Sequence, residues 1–320
     1  MAACEKKPII ILTGPTAVGK TALSIALAKA IDGEIISADS MQVYKQMDIG
    51  SAKITKDEME GVPHHLVDVL DPREGFDVCR FQSMAKEALA GIYERGRVPI
   101  VVGGTGFYIQ ALLYDIDFTE TKEDTAYRRE LSEIARTKGN HALHEMLKQV
   151  DPESAEAIHE NNVKRVIRAL EFYQETGEKI SSHNEQQRLH ESPYQFCYFV
   201  LTDDRKTLYD RIDERVDLML EQGLVAEVQA LKEQGCRADM VSMKGLGYKE
   251  ILAYLDGQIS LEEAVYIIKR DTRHFAKRQL TWFRRERDVI WLDRQAYQDE
   301  ASILEAMLCI LREQNIYMAK

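Results

Sequence analysis

Gly14, Pro15, Thr16, Ala17, Val18, Gly19, Lys20 and Thr21 fit the spacing GxxxxGK[ST], a turn that grips polyphosphate. The flanks suit it: residues 9–12 form an apolar, strand-like run, and residues 21–30 are rich in Ala and Leu at helical spacing. The backbone amides of residues 18–21 then face phosphate oxygens at a helix N-terminus, where the helix dipole adds partial positive charge. Lys20 supplies a full charge, and the Thr21 hydroxyl is suited to hold Mg²⁺.

Other residues narrow the phosphate chemistry. A nucleotide hydrolase places a strand-terminal Asp on Mg²⁺ and a further group at the γ-phosphate. Here the apolar run 98–102 stops at Gly103-Gly104-Thr105 with no acid, and no guanine-reading NKxD segment occurs. The strand-terminal acid close to the turn is Asp39, which follows run 34–38. Two roles fit it: a partner of Mg²⁺ in a small kinase, or a general base that takes a proton from an incoming nucleophile across the site from the phosphates. Ser40 and Gln42 carry a hydroxyl and an amide able to read a base edge, which tilts the reading toward the base.

The elements that must hold these groups alternate between strand and helix. Runs 9–12, 34–38 and 98–102, with a helical pattern over 78–95, predict an α/β fold: a P-loop NTPase-like parallel sheet with helices on both faces. Ligands of such sheets collect at the carboxyl ends of the strands, here the phosphate turn, Asp39-Ser40 and Gly104-Thr105. From 119 the strand pattern gives way to helical periodicity over 127–137, 141–150, 153–159 and 163–175, and the polar stretch 180–193 reads as a hinge back to the core. A strand returns at 194–201, helices follow at 204–221 and 225–234, and a last strand at 288–292 can rejoin the sheet. The expected division is a core over 1–118, a helical insertion domain over 119–192, and a completion of the core over 193–320 that contains a basic helix at 261–287.

Composition sets the class. Of 320 residues, 45% are hydrophobic and 30% charged, as in soluble globular proteins, and no apolar run approaches the length of a membrane span. No signal peptide is read at the start, and Cys4, Cys79, Cys197, Cys236 and Cys309 lie far apart, so a cytoplasmic protein with reduced thiols and no zinc site is expected. The net charge of −11 argues against indiscriminate nucleic-acid binding, but residues 269–287 reverse the sign, with eight Lys/Arg against Asp271 and Glu286. On one helix, Leu261, Val265, Ile268, Thr272, Ala276, Gln279 and Phe283 share a face, whereas Tyr266, Arg270, Arg273, Lys277, Thr281 and Arg284 share another. No acidic row balances that second face in sequence, which favours a polyanion partner over a merely solvated surface, with Arg273, Lys277 and Arg284 on phosphates.

The motifs also follow one another in a familiar order. GPTAVGKT, SADSMQVYKQMDIGSAK (37–53), VPHHLVDVLDP (62–72), VVGGTGFY (101–108), KRVIRALE (164–171) and AKRQLTWFRR (276–285) resemble the signatures of the bacterial tRNA dimethylallyltransferase (tRNA isopentenyltransferase) family over nearly the whole chain. The resemblance implies transfer of a dimethylallyl group from dimethylallyl diphosphate to the exocyclic amine of the adenosine just 3′ of the tRNA anticodon. The phosphate turn would then hold a diphosphate leaving group, which suits the missing strand-end acid. It further implies Mg²⁺ as cofactor, Asp39 as base with Lys20, Thr21 and Thr105 in the catalytic set, and Arg215 on the diphosphate. Thr105 with Ser40 and Gln42 would hold the adenine, and Met41 between them would also touch the tRNA. The tRNA-contacting stretches it implies are Arg128, Lys164, Arg165, Val166, Ile167 and Arg168 in the insertion, and Lys244, Gly245, Leu246, Gly247, Tyr248 and Lys249. Ion pairing of Arg165 or Arg168 with Glu171 or Glu160 is the structural alternative. The partners are thus the tRNA anticodon stem-loop and dimethylallyl diphosphate, with no membrane, and the chain is read as a monomer.

Several residues invite other readings. His64-His65 lack further ligands at metal spacing and are read as structural. Phe283 falls on the apolar stripe and reads as core, Trp282 is open between packing and stacking, and Tyr44 and Tyr108 are open between packing and ligand contact. The rival function is an ATP-dependent kinase of a nucleotide or small metabolite; an RNA-binding module with a structural phosphate clip is the non-enzymatic one.

Overall fold

The computed structural model describes residues 6–118 and 125–317. The apolar runs become a six-stranded parallel sheet in the order β3-β2-β4-β1-β5-β6. Its strands are β1 (Lys7–Thr13), β2 (Gly33–Ser37), β3 (His64–His65), β4 (Val98–Gly103), β5 (Tyr194–Thr202) and β6 (Val289–Asp293). Ile9, Ile10, Ile11 and Leu12 are all fully buried, because a parallel sheet joined by helical crossovers is covered on both faces. Ile10 and Leu12 enter one core with Leu23 and Leu27 of α1 (Lys20–Ile31), Ile212 of α9 (Arg205–Glu221) and Ile303 and Met307 of α13 (Glu300–Glu313). Ile9 and Ile11 alternate to the opposite face.

That first unit is completed by α2 (Val78–Glu94), α3 (Gly106–Leu113), α10 (Leu224–Glu233), α11 (Tyr248–Leu255) and α12 (Leu261–Phe283). It comprises the chain up to Leu113 and from Pro193 onward; a second compact unit is Tyr114–Ser192. Thr119, the expected first residue of the insertion, and Cys4 lie outside the described residues. The second unit contains α4 (Ala126–Lys138), α5 (Asn140–Val150), α6 (Pro152–Ala157), α7 (Val163–Thr176) and α8 (Ile180–Leu189), with Leu131, Leu143, Leu147, Val166 and Leu170 in its core. The polar stretch expected to be a hinge is therefore largely helix α8. Its start is anchored by the buried Asp151, which accepts from the Ser181 N–H at 3.0 Å and hydroxyl at 2.7 Å while also capping α6 through Ser154.

Strand register lines up the functional loops. Thr13 is level with Gly103 on one side and Val200 on the other, and Ser37 is level with Val102. The Thr13 hydroxyl donates to Gly103 O at 2.6 Å, closing the end of the β1/β4 pair. The carboxyl ends of β1, β2, β4 and β5 therefore finish in one row. Helix α12 ends at Phe283, with Arg284 as its C-cap, short of the expected 287. Among the described residues, no helix is long and apolar enough to cross a membrane.

Candidate active site

The phosphate turn leaves β1 at Gly14, whose φ is 147° and where a Cβ would lie 2.3 Å from Leu201 O. Ala17 takes φ 62°, and Gly19, the N-cap of α1, takes φ 93°. Glycine suits the last position twice over, since a Cβ there would also meet the Arg294 guanidinium at 2.7 Å. Lys20 folds back over the turn and donates to Gly14 O at 3.0 Å and Pro15 O at 2.8 Å. Burial and the positive charge of Arg215 lower its pKa to about 8, with Asp39 pulling the other way. Thr21 is exposed on the first turn of α1.

Asp39 lies two residues past the end of β2. Its Oδ1 accepts from Met41 N at 2.7 Å and Gln42 N at 3.2 Å, a local turn that fixes the carboxylate. Arg215, carried on α9, has its pKa lowered by burial and raised again by Asp39 and Glu58. Asp39 thus feels both Lys20 and Arg215, groups that are far from it in sequence. Thr105 joins them through the backbone: its N–H donates to Ala38 O at 3.3 Å, and Ala38 N donates to Val102 O at 2.8 Å.

The Gly103-Gly104-Thr105-Gly106 segment clears space for three neighbours. A Cβ would come to 2.3 Å from Ala38 O at Gly103, 2.1 Å from Gln279 Nε2 at Gly104 and 2.2 Å from Trp282 Cδ1 at Gly106. Trp282 is thus a packing residue on this loop, with its edge against the exposed ring of Phe107 at 6.1 Å between centroids. The buried Gln279 reaches both loops: its Oε1 accepts from Thr16 N at 2.9 Å, and its Nε2 donates to Gly104 O at 2.9 Å. Helical periodicity puts Gln279 on the buried face, but nothing local in the sequence points to these two partners.

The segment after Asp39 is braced from α10 and α11. Glu227 accepts from the N–H groups of Asp48 at 2.9 Å, Ile49 at 2.7 Å and Gly50 at 3.1 Å, and from the Tyr248 hydroxyl at 2.7 Å. The Tyr248 oxygen in turn accepts from Ser51 N at 3.1 Å. Tyr248, expected among the tRNA-contacting residues, is fully buried, and Gly247 is buried as well. A Cβ on Gly245 would lie 2.5 Å from Met41 Sδ, so Met41 packs on that loop, where Leu246 is half-buried. Lys244 and Lys249 are exposed. Gln42 gives its Nε2 to Ala52 O at 3.1 Å and Ser51 O at 3.4 Å, so the amide donor expected to read a base edge is spent on its own loop. Ser40 is half-buried beside Asp39 in the chain.

The basic helix has the acidic partner that was not evident in sequence. Asp213 and Asp217, one turn apart on α9, pair with Arg273 at 2.7 Å and Lys269 at 2.7 Å. Arg273, expected on phosphate, thus has an acidic partner within the fold, while Lys277 and Arg284 are exposed. In the second unit, Arg128 forms a two-pronged pair with the buried Glu171, at 2.9 Å from Nε to Oε1 and 2.7 Å from Nη2 to Oε2. Val166 and Ile167 lie in the core of that unit, as helical geometry requires when Lys164 and Arg165 take the exposed face, and Arg168 is half-buried. Glu160 pairs with His141, as Glu171 pairs with Arg128.

The remaining residues pack. Tyr108 stacks on Phe81 at 4.6 Å, Tyr44 sits edge-on to Phe76 at 6.4 Å, and both tyrosines are buried. His64 bonds Val62 O at 2.8 Å through Nδ1, and His65 contacts Glu34 at 2.7 Å through Nε2. Among the described residues no group of three or more His, Cys, Asp or Glu could hold a metal. The exposed Thr21 hydroxyl at the head of α1 fits one ligand of a Mg²⁺ whose other ligands are phosphate oxygens and water.

Known proteins match this arrangement along its length. The IPP transferase family model matches residues 42–286, and the isopentenyl transferase model matches residues 7–75. A tRNA dimethylallyltransferase of Lachnoclostridium phytofermentans is 65% identical over 310 residues, 97% of this chain and 99% of the relative. The crystal structure of full-length tRNA isopentenylpyrophosphate transferase from Bacillus halodurans matches with a TM-score of 0.73 and 46% identity, covering 97% of this chain and 98% of that one. A eukaryotic dimethylallyltransferase acting on tRNA matches with a TM-score of 0.82 and 31% identity, covering 98% of this chain and 81% of that one.

Proposed function

Since this chain belongs to the IPP transferase family, we propose that it transfers the dimethylallyl group of dimethylallyl diphosphate to the N6 amine of the adenosine 3′-adjacent to the tRNA anticodon, releasing diphosphate. A C–N bond forms as the C–O bond to diphosphate breaks, the electron pair leaves on the diphosphate, and the N6 proton goes to Asp39. An exocyclic adenine amine is a poor nucleophile because its lone pair is delocalised into the ring, and a positioned base is worth roughly 10² to 10⁴ in rate.

Lys20, Arg215 and the amides of the phosphate turn stabilise the negative charge that develops on the departing group. Thr21 would hold Mg²⁺, which would supply charge neutralisation beside the departing diphosphate. Thr105 and Ser40 flank the adenine beside Asp39. The target base leaves its stack to enter the site, at a cost smallest in a loop that is already partly single-stranded. Lys277, Arg284, Lys244 and Lys249, with Lys164 and Arg165 of the second unit, supply exposed positive charge for the tRNA backbone. The enzyme is proposed to act as a monomer in the cytoplasm.

The observation that carries this reading is that Asp39, just past the end of β2, shares one row of strand ends with the phosphate turn after β1 and the Thr105 loop after β4, whose Thr105 N–H bonds to Ala38 O. A proton acceptor facing an anion cradle suits nucleophilic displacement of diphosphate. The test is incubation of the purified protein with dimethylallyl diphosphate and an anticodon stem-loop, without ATP. Mass analysis should find one dimethylallyl group added to the adenosine; consumption of added ATP with no prenylated RNA would point to a kinase instead.

A further inference from the structure

We propose that Gln279 is a positioning residue for the transfer, setting the separation between the diphosphate cradle and the loop that carries Thr105. The inference rests on the prenyl-transfer reading above and deepens it. A displacement depends on distance and alignment between the attacking atom and the leaving group, and here the two are held by different loops. The cradle follows β1 and the Thr105 loop follows β4. Beyond the strand ends, the Gln279 side chain hydrogen-bonds to both, with Oε1 on Thr16 N and Nε2 on Gly104 O, each at 2.9 Å.

Three features make this amide more than a filler. Its two ends have opposite polarity, and each meets the complementary backbone group, an N–H on the cradle and a C=O on the other loop. It is buried, 6% exposed, so a lost bond is not replaced freely by water. Gly104 has given up its side chain at the point of contact, where a Cβ would overlap Nε2 at 2.1 Å. The same helix holds Trp282 against Gly106, so α12 bears on the loop at two points, on either side of Thr105. Helix α12 also presents Lys277 and Arg284 to solvent, which links the proposed tRNA-binding face to the spacing of the reacting groups.

Q279M keeps the volume and removes both hydrogen bonds. The expected result is a single-turnover rate reduced roughly 10- to 100-fold with donor and stem-loop both saturating, while the Kd for each stays within about threefold of wild type, because each half-site survives and only their relative placement is relaxed. Q279E supplies a readout that a purely structural role would not move. As a carboxylate it faces Gly104 O with an acceptor, whereas once protonated it can donate there again and still accept from Thr16 N–H. Its rate relative to wild type at the same pH should therefore rise as pH falls from about 8 to about 6. The inference is overturned if folded Q279M turns over within about threefold of wild type, or if saturating donor restores its full rate. Should Q279M fail to fold, a flat Q279E-to-wild-type ratio across that range overturns it. Wild type that transfers no prenyl group would sink the reading beneath it, a result separate from these.

Discussion

Arg273 on α12 grips both carboxylate oxygens of Asp213 on α9, with the Nη1 to Oδ2 distance 2.7 Å, and so a charge that resembles RNA-binding capacity in sequence has a partner within the fold. Partly exposed pairs of this kind contribute about 0.2 to 1 kcal/mol. Arg273→Ala should therefore lower the melting temperature slightly and leave the salt dependence of tRNA binding unchanged. Lys277→Ala and Arg284→Ala should each reduce the slope of log Kd against log salt by roughly 0.7 to 0.9. Titrations of a labelled stem-loop at several salt concentrations separate the two classes; a flattened slope for Arg273→Ala would reassign that residue to the RNA.

Asp39 has a structural task as well as its proposed chemical one, because Oδ1 accepts two backbone N–H groups. Asp39→Asn keeps an oxygen for that turn while removing the base. Its single-turnover rate should fall roughly 10² to 10⁴-fold with tRNA affinity preserved. Retention of more than about a tenth of the wild-type rate would mean that another group takes the proton.

Lys20 starts from a pKa of about 8 in the ligand-free protein, below the usual 10.5, chiefly because it is buried and secondarily because Arg215 is near. A bound diphosphate favours the charged amine and must raise that value. Between the two values, binding takes up a proton, and donor affinity weakens as pH rises through and beyond about 8. Calorimetry near that pH in buffers of different ionisation enthalpy should report net proton uptake with wild type and less with Lys20→Met. Equal uptake in both proteins would assign the proton elsewhere.

Glu227 collects three backbone N–H groups and the Tyr248 hydroxyl, all beneath the segment that leads back to Asp39. Glu227→Gln replaces one acceptor oxygen by a donor facing those groups, and a loss of about 2 to 3 kcal/mol of stability is expected from chemical denaturation. Tyr248→Phe, which strands only Ser51 N–H and one Glu227 lone pair, should cost about 1 to 2 kcal/mol. If Tyr248 instead touched RNA, its loss would weaken tRNA binding with stability intact.

Arg128 and Glu171 form the corresponding test in the second unit. The Glu171 side chain is 1% exposed, and removing its partner leaves a buried carboxylate without a counter-ion. Arg128→Ala should destabilise the protein by about 3 to 5 kcal/mol, whereas Arg165→Ala should be close to neutral in stability and weaken RNA binding. Thermal denaturation beside stem-loop titration distinguishes them.

The parts of this design that were legible in sequence are those encoded locally. The phosphate turn depends on residues within eight positions, and the strands depend on apolar runs such as Ile9 to Leu12 that need no partner to be recognised. β3 was invisible because its two residues, His64 and His65, owe their place to pairing with Ile35 and Ile36 rather than to their own pattern. The acidic row on α9 was misjudged for the same reason: Asp213 and Asp217 meet Arg273 and Lys269 only after two distant helices pack. Tyr248 turns inward toward Glu227, a partner on another helix that its own stretch of sequence does not announce. The glycines of the 103–106 segment were noticed as a motif, while their cause, the approach of Ala38, Gln279 and Trp282, required the fold.

The central position of β1 has a consequence for synthesis. Ile10 pairs with Ile100 on one side and Cys197 on the other, so the strand feeding the phosphate turn keeps an open edge until the whole helical unit has been made. A nascent chain that stalls within that unit exposes an apolar β edge to its neighbours, the condition under which partly made chains aggregate. Arg215 and Gln279 follow that unit in the chain, so the proposed site is assembled only after both have been made.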